Sequence, residues 1–217
     1  MTEVTVKQTR PRSTMTFGGL EIVFDDRVLH PRDWTVAQSW WAEELLATAP
    51  AGPVLELCAG AGQIGLLAVR GSDRRLVMVD RNPIACDFAS FNAETAGLSG
   101  RVTVRQGEME RCIGPGERFA LVLADPPWVR SEEVQRFPED PVGAIDGGDD
   151  GLRIARSCLA LADRHLLPGG SMLLQLGDDA QIDALAEKLD RHSRLHVGER
   201  RSFEGRGVLV RITASGE

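Results

Sequence analysis

Four short apolar runs constrain this chain more than any other feature: Val54-Leu55-Glu56-Leu57, Leu76-Val77-Met78-Val79, Val102-Thr103-Val104 and Leu121-Val122-Leu123-Ala124. Apolar runs without alternation belong to strands covered on both faces, the mark of a parallel sheet. Parallel strands need crossover connections, and the helical stretches beginning at Gln63 and Pro83 supply them. Pro83 suits a first helical turn and Gly97 a helix stop. Downstream the pattern predicts a helix over 151–166, a turn at Leu167-Pro168-Gly169-Gly170, a strand over Met172–Leu176 and a helix over 179–190. Two last strands near 194–199 and 207–213 read as an antiparallel hairpin. Upstream, residues 1–16 are polar and expected to be loosely attached. Residues 17–52 read as a strand and helix extension: Leu20–Phe24 extended, a turn at Asp25-Asp26, a return strand at Val28-Leu29, then a helix over 35–48 burying Val36, Trp40, Leu45 and Leu46. The expectation is a single α/β domain over 1–217, with ligands bound beyond the carboxyl ends of its strands.

Composition narrows the partners. The formal charge of −7 opposes a phosphate backbone unless arginines cluster on one face. The groups Arg70, Arg74, Arg75 and Arg191, Arg194, Arg200, Arg201 read as solvated surface. Cys58, Cys86, Cys112 and Cys158 lack metal spacing, and His30, His165, His192 and His196 form no cluster with them, so no metal is expected. The histidines read as structural or exposed. Reduced thiols, no secretory leader and no apolar run near the ~20 residues of a membrane helix place the chain in the cytoplasm, away from membranes.

The strand ends carry the chemistry. The first is Glu56-Leu57-Cys58-Ala59-Gly60-Ala61-Gly62, where Gly60 and Gly62 permit a sharp turn and close approach to a ligand. Glycine turns also occur in ordinary strand-to-helix loops. An acid at Glu56, however, repels the pyrophosphate of a dinucleotide and tolerates a cationic amino acid group. S-adenosylmethionine has such a group and no phosphate. The second end is Asp80, placed to accept both ribose hydroxyls or to serve as a loop or helix-cap aspartate. At the third, Gln106-Gly107-Glu108-Met109, Glu108 suits an adenine amino group and Met109 the ring face, although such pairs also occur on plain surface. The fourth is Asp125-Pro126-Pro127-Trp128. Its prolines stiffen the backbone and lack N–H groups, leaving the Asp125 carboxylate and the Pro126 carbonyl as acceptors for a planar NH₂ group, with Trp128 to stack on its carrier. A stiff strand exit with a core tryptophan is the plainer alternative.

Together these residues resemble class I S-adenosylmethionine methyltransferases, and in particular the HemK/PrmC group of release-factor glutamine methyltransferases. The likeness covers about residues 20 to 185: Val28-Leu29-His30-Pro31-Arg32-Asp33-Trp34-Thr35 ahead of the first helix, Val54 to Gly62, Asp80-Arg81-Asn82-Pro83, Gln106-Gly107-Glu108, Asp125 to Trp128, Gly147 to Leu152 and Leu167 to Gln181. It implies a Rossmann-like sheet of seven strands, mostly parallel with a C-terminal antiparallel hairpin and helices on both faces. It also implies that Thr35, Glu56, Cys58, Ala59, Gly60, Gly62, Asp80, Arg81, Glu108 and Met109 hold S-adenosylmethionine, and that Asp125, Pro126, Pro127 and Trp128 hold the acceptor. This chain departs from the family pattern where Asp125 replaces asparagine, Trp128 tyrosine and Cys58 glycine, and the stretch ahead of the first motif is short for the family's helical recruiting domain. Asp-Pro-Pro-Trp is also similar to the motif of adenine amino methyltransferases. The expected reaction is N-methylation of a planar amino group, most readily a protein glutamine amide. A nucleobase in RNA or DNA and a small molecule are the alternatives. The loop at 129–150 reads equally as a lid and as plain surface.

Overall fold

The computed structural model describes residues 10–189 and 193–215. Arg191, His192 and residues 1–9 of the N-terminal stretch expected to be loosely attached lie outside them. The chain opens with an antiparallel hairpin, β1 (Ser13–Phe17) and β2 (Leu20–Phe24). This corrects two expectations. Residues 13–16 are paired, and Leu20–Phe24 pairs with them and not with Val28-Leu29, which forms no strand. The cause is Gly18-Gly19, with φ of 55° and 85°: two consecutive left-handed residues make the two-residue turn whose twist matches a hairpin.

Helix α1 (Val36–Leu46) follows, one residue shorter at the start than expected. Its buried face is Gln38, Ser39, Trp41, Ala42 and Leu46. Trp40 is instead 54% exposed. Apolar periodicity misplaced the face because two of its inward positions are polar. Gln38 Nε2 donates to the carbonyls of Ala124 and Leu173, both at 3.1 Å, and Ser39 Oγ to that of Ile64 at 2.9 Å.

The main elements then alternate: β3 (Val54–Leu57), α2 (Gln63–Val69), β4 (Leu76–Asp80), α3 (Pro83–Thr95), β5 (Val102–Gln106), a single turn α4 (Met109–Cys112), β6 (Phe119–Ala124), a single turn α5 (Val142–Ile145), α6 (Arg153–His165), β7 (Leu166–Leu176), α7 (Asp179–Glu187), β8 (Leu195–Phe203) and β9 (Gly207–Ala214). The expected turn at 167–170 is an irregularity within β7: Phe119 pairs with Leu166, Leu121 with Ser171, and Gly169 takes φ 75°. The seven strands order as β5-β4-β3-β6-β7-β9-β8, parallel except for the β9 pairings. β3 lies between β4 and β6, so the chain runs outward in opposite directions from that point. One core layer packs α1–α3 and the hairpin on one face of the sheet; the other packs α6 and α7 on the opposite face.

Polar ties fix the loops around this sheet. Asn92, fully buried on α3, pairs its amide with both backbone groups of Val23 and donates to the Ala61 carbonyl at 2.9 Å. The arginines expected to be solvated are mostly engaged. Arg74 donates to the carbonyls of Leu46, Ala49, Pro50 and Gly52, closing the end of α1 and the turn into β3. Arg194 donates to those of Asp163 and Leu166, Arg200 pairs with Asp179 and Asp183, and Arg201 lies 4.0 Å over the Trp41 ring. His165 is buried against the Glu117 carbonyl, and His30 packs edge-on to Phe24. Arg74→Ala strands carbonyls that a charged donor had satisfied, so we expect a loss of about 2 kcal/mol and a Tm lower by roughly 4–8 °C. Exposed Arg75→Ala should stay within about 0.5 kcal/mol by the same thermal melt.

Candidate functional site

The parallel register determines what meets at the strand tips. Leu57 stands opposite Val79 on one side and Ala124 on the other, so Cys58, Asp80 and Asp125 follow side by side beyond the last ladder pair. A cavity of about 580 Å³ opens at this point. Its floor and sides are Cys58, Ala59, Gly60, Asp80, Arg81, Glu108, Met109, Asp125 and Pro127, which are nine of the fourteen residues singled out from the sequence.

The glycine turn is shaped for approach. Gly60 takes φ 54°, and a Cβ there would meet nothing within 4 Å, so the glycine serves the backbone and whatever enters the cavity. Its N–H donates to Asp80 Oδ2 at 2.8 Å, while Asp80 Oδ1 accepts from the Asn82 N–H at 2.8 Å. Asp80 is thereby locked across two loops. Burial raises its pKa, and these N–H groups oppose the rise. Gly62, at φ 82°, begins α2 and packs on Met78 and Ala89, outside the cavity wall. Cys58 takes φ 57°, the only non-glycine described with a positive φ. A residue with a side chain there carries strain of the kind that gathers at functional sites. The adjoining Cys158 thiol and burial keep its own thiol protonated. Cys158 lies in turn 3.9 Å from the Met109 sulfur. All four cysteines are free thiols.

Two residues expected at the cofactor sit elsewhere. Glu56 is 3% exposed and turned into α2, where Oε1 accepts from the Gly65 N–H at 3.0 Å. Its Oε2 is buried without a partner among the described residues. Burial, with some repulsion from Asp80 and Asp125, pushes its carboxyl up to about 8. It braces the turn from beneath; strand alternation points a residue at that position into the helix layer. Thr35 is also buried, its hydroxyl donating to the Arg32 carbonyl at 2.8 Å.

At the fourth tip, Asp125 faces the cavity with no hydrogen-bond partner among the described residues, and burial pushes its carboxyl up to about 7. The carbonyls flanking the motif are taken: Ala124 by Gln38, Trp128 by Gln181 Nε2 at 3.0 Å and Val129 by the Gly147 N–H at 2.8 Å. Those of Asp125, Pro126 and Pro127 accept nothing among the described residues. Pro126 is buried off the cavity wall. Trp128, expected to stack on the acceptor, is instead seated on Gly177, where an added Cβ would meet its ring at 2.7 Å.

The sequence reading missed the outer wall: Val28 and Leu29 from one side, and Pro141, Gly143 and Ala144 from the segment after β6. No motif marks Pro141, Gly143 or Ala144, and Val28-Leu29 carried no site role in the sequence. Among the described residues no cluster suits a metal ion, and no helix is long and apolar enough to cross a membrane.

This sheet order, with its glycine turn and three acids gathered at the switch point, defines a class I methyltransferase. The methyltransferase small domain family matches residues 40–139. The release factor glutamine methyltransferase of Deinococcus radiodurans is 31% identical over 205 residues, covering 92% of this chain and 72% of that protein. Its counterpart in Geobacter sulfurreducens is 35% identical over 171 residues, 76% of this chain and 58% of the relative. The chain spans 54% of the ribosomal protein uL3 glutamine methyltransferase of Francisella tularensis. Among solved structures, the hMettl16 catalytic domain in complex with an MAT2A 3'UTR hairpin shares the fold, with TM-score 0.69 at 14% identity over 91% of this chain and 75% of that one. The chain belongs to the family of the release factor glutamine methyltransferases.

The raised carboxyls have a consequence for stability. Asp125 and Glu56 bind protons in the folded chain that the unfolded chain releases near its ordinary carboxyl pKa, so stability falls as pH rises from about 4 through 8. We expect a higher Tm at pH 5 than at pH 8. Asp125→Asn should recover about 1–3 kcal/mol at pH 8 and almost nothing at pH 4. An unchanged pH profile in that variant would show that Asp125 is not the group being titrated.

Proposed function

We propose that this chain is an S-adenosylmethionine-dependent N-methyltransferase acting on a protein glutamine side-chain amide. The observation that carries the reading is the set of free acceptors at Asp125-Pro126-Pro127, beside a cavity walled by the glycine turn, Asp80 and Glu108. The residues present suit the cofactor. Asp80, already braced by the Gly60 N–H, is placed for ribose hydroxyls, Glu108 and Met109 for the adenine, and the anionic cavity for a sulfonium. When bound, S-adenosylmethionine supplies an electrophilic methyl group.

The chain's own residues do the rest. An amide nitrogen is a poor nucleophile because its lone pair is delocalised. Asp125, which faces the cavity, and one of the unpartnered carbonyls of the Asp125-Pro126-Pro127 backbone accept the two N–H hydrogens, hold the nitrogen in line and stabilise the positive charge that develops on it. Asp125, ionised above about pH 7, takes the surplus proton from the methylated nitrogen and releases it to solvent. Family membership supports a protein amide as acceptor. Trp128 seated on Gly177, away from the cavity wall, supports a compact amide before a stacked base.

The test is transfer from methyl-labelled S-adenosylmethionine into a release factor, ribosomal protein uL3 and RNA, with the methyl located by mass spectrometry. We expect label on a glutamine amide of protein. Label confined to RNA would replace the amide reading with the nucleobase one. Asp125→Ala should lower turnover by about 10²–10³-fold, the usual effect of removing one such acceptor or donor. Its affinity for S-adenosylhomocysteine, measured by calorimetry, should stay within about threefold, since product binding does not need the acceptor site.

A further inference from the structure

The segment between β6 and α6 does more than connect them. Its base is anchored beside the Asp-Pro-Pro-Trp motif, where the Val129 N–H donates to the Ile145 carbonyl at 3.0 Å and its carbonyl accepts from Gly147. Its tip, 140–144, crosses to the far side of the cavity, where Pro141, Gly143 and Ala144 form wall. Little apolar burial holds the tip there. Ile145 is buried, but Val142 is 60% exposed, and α5 is a single turn.

Two arginines hold it instead. Arg32 Nη2 donates to both oxygens of Asp140, at 2.6 and 2.7 Å, across 108 positions of chain. The Asp140 side chain is 7% exposed and that of Arg32 37%, so the pair is partly withdrawn from water and less screened than a surface pair. Arg81, the residue after the ribose-type acid, donates from Nη2 to the Gly143 carbonyl at 2.8 Å. A Cβ on Gly143 would meet the same nitrogen at 3.3 Å, so the tip fits closely on Arg81.

We infer that residues 140–144 are the outer wall of the cofactor site, that Arg32 and Arg81 position this wall, and that opening it governs release of the nucleoside product. The inference rests on the cofactor reading above and assigns Arg32 and Asp140 a place in it although neither touches the cavity. An element held by two polar ties and few apolar contacts opens at low cost, which suits a wall that must let one cofactor out and the next in.

The probe is S-adenosylhomocysteine alone, with affinity by calorimetry and release by stopped-flow displacement. Arg32→Ala and the milder Asp140→Asn should each speed release about five- to tenfold, a coupling typical of one interacting pair, with Tm within a few degrees of the unaltered chain. The exchange Arg32→Asp with Asp140→Arg should restore most of the slow release. A defect in folding alone would lower Tm and would not be repaired by the exchange. Release within twofold of the unaltered rate in both single variants, or an exchange no better than either, overturns the wall. Asp80→Ala separates the two readings: it should weaken affinity whether or not the wall exists. Absence of any binding by the unaltered chain overturns the cofactor site and the wall together.

Discussion

β3 is hydrogen-bonded in parallel to β4 on one side and to β6 on the other, and the common register of those two ladders brings the chemistry together. Because both ladders of β3 stop at Leu57, Cys58, Asp80 and Asp125 stand side by side just past them, Asp80 keeping only its pairing with Gln106 of β5, and face one space. The helices that follow β3 and β4 leave in the same direction, which keeps that space open. Residues more than forty positions apart thus become neighbours without a specific long-range contact between them. The sheet's apolar strands supply the stability, and the tips are free to carry groups that stability alone would not select.

Those groups are acids. Asp80, Asp125 and Glu56 lie close together, and burial raises all three. Glu56 is braced by one N–H and Asp80 by two, while Asp125 has no such brace among the described residues. An uncompensated buried carboxylate is costly in the free protein, and a cation entering the cavity removes that cost. A cation in the cavity would lower the cost of ionising Asp125, which fits the proposed sulfonium cofactor. The flanking carbonyls engaged by Gln38 and Gln181 confine the remaining acceptors of the tetrapeptide to the positions beside Asp125.

Much of this was legible in the residues. The unalternating runs at 54–57, 76–79 and 121–124 could only be doubly covered strands, and Gly60, Asp80, Glu108 and Asp125 were found because chain order puts them at strand ends. Where the reading failed, the deciding interaction was polar or was a matter of fine direction. The hairpin partner of β2 carries little apolar pattern of its own, and only the left-handed Gly18-Gly19 turn folds Ser13–Phe17 back on it. The face of α1 was misplaced because Gln38 and Ser39 point inward to carbonyls of other elements. Trp128 was expected over the acceptor, yet the absence of a side chain at Gly177, distant in sequence, gives its ring another seat.

The sequence by itself determined the order of strands and helices, the sharp turn at Gly60 and the presence of an acid beyond each of two central strands, since these follow from local pattern and backbone sterics. Only the tertiary structure decided which acids face the cavity and which brace it. Glu56 and Asp125 are both carboxylates at strand ends, but one lies a residue before the tip and points into α2 while the other lies past it. Pleat direction and register make that difference, and both are set by neighbouring strands. The outer wall was likewise decided by folding, because Arg32, in the stretch ahead of the first helix, and Asp140, in no motif, acquire a joint role only when the completed sheet brings them within hydrogen-bonding reach.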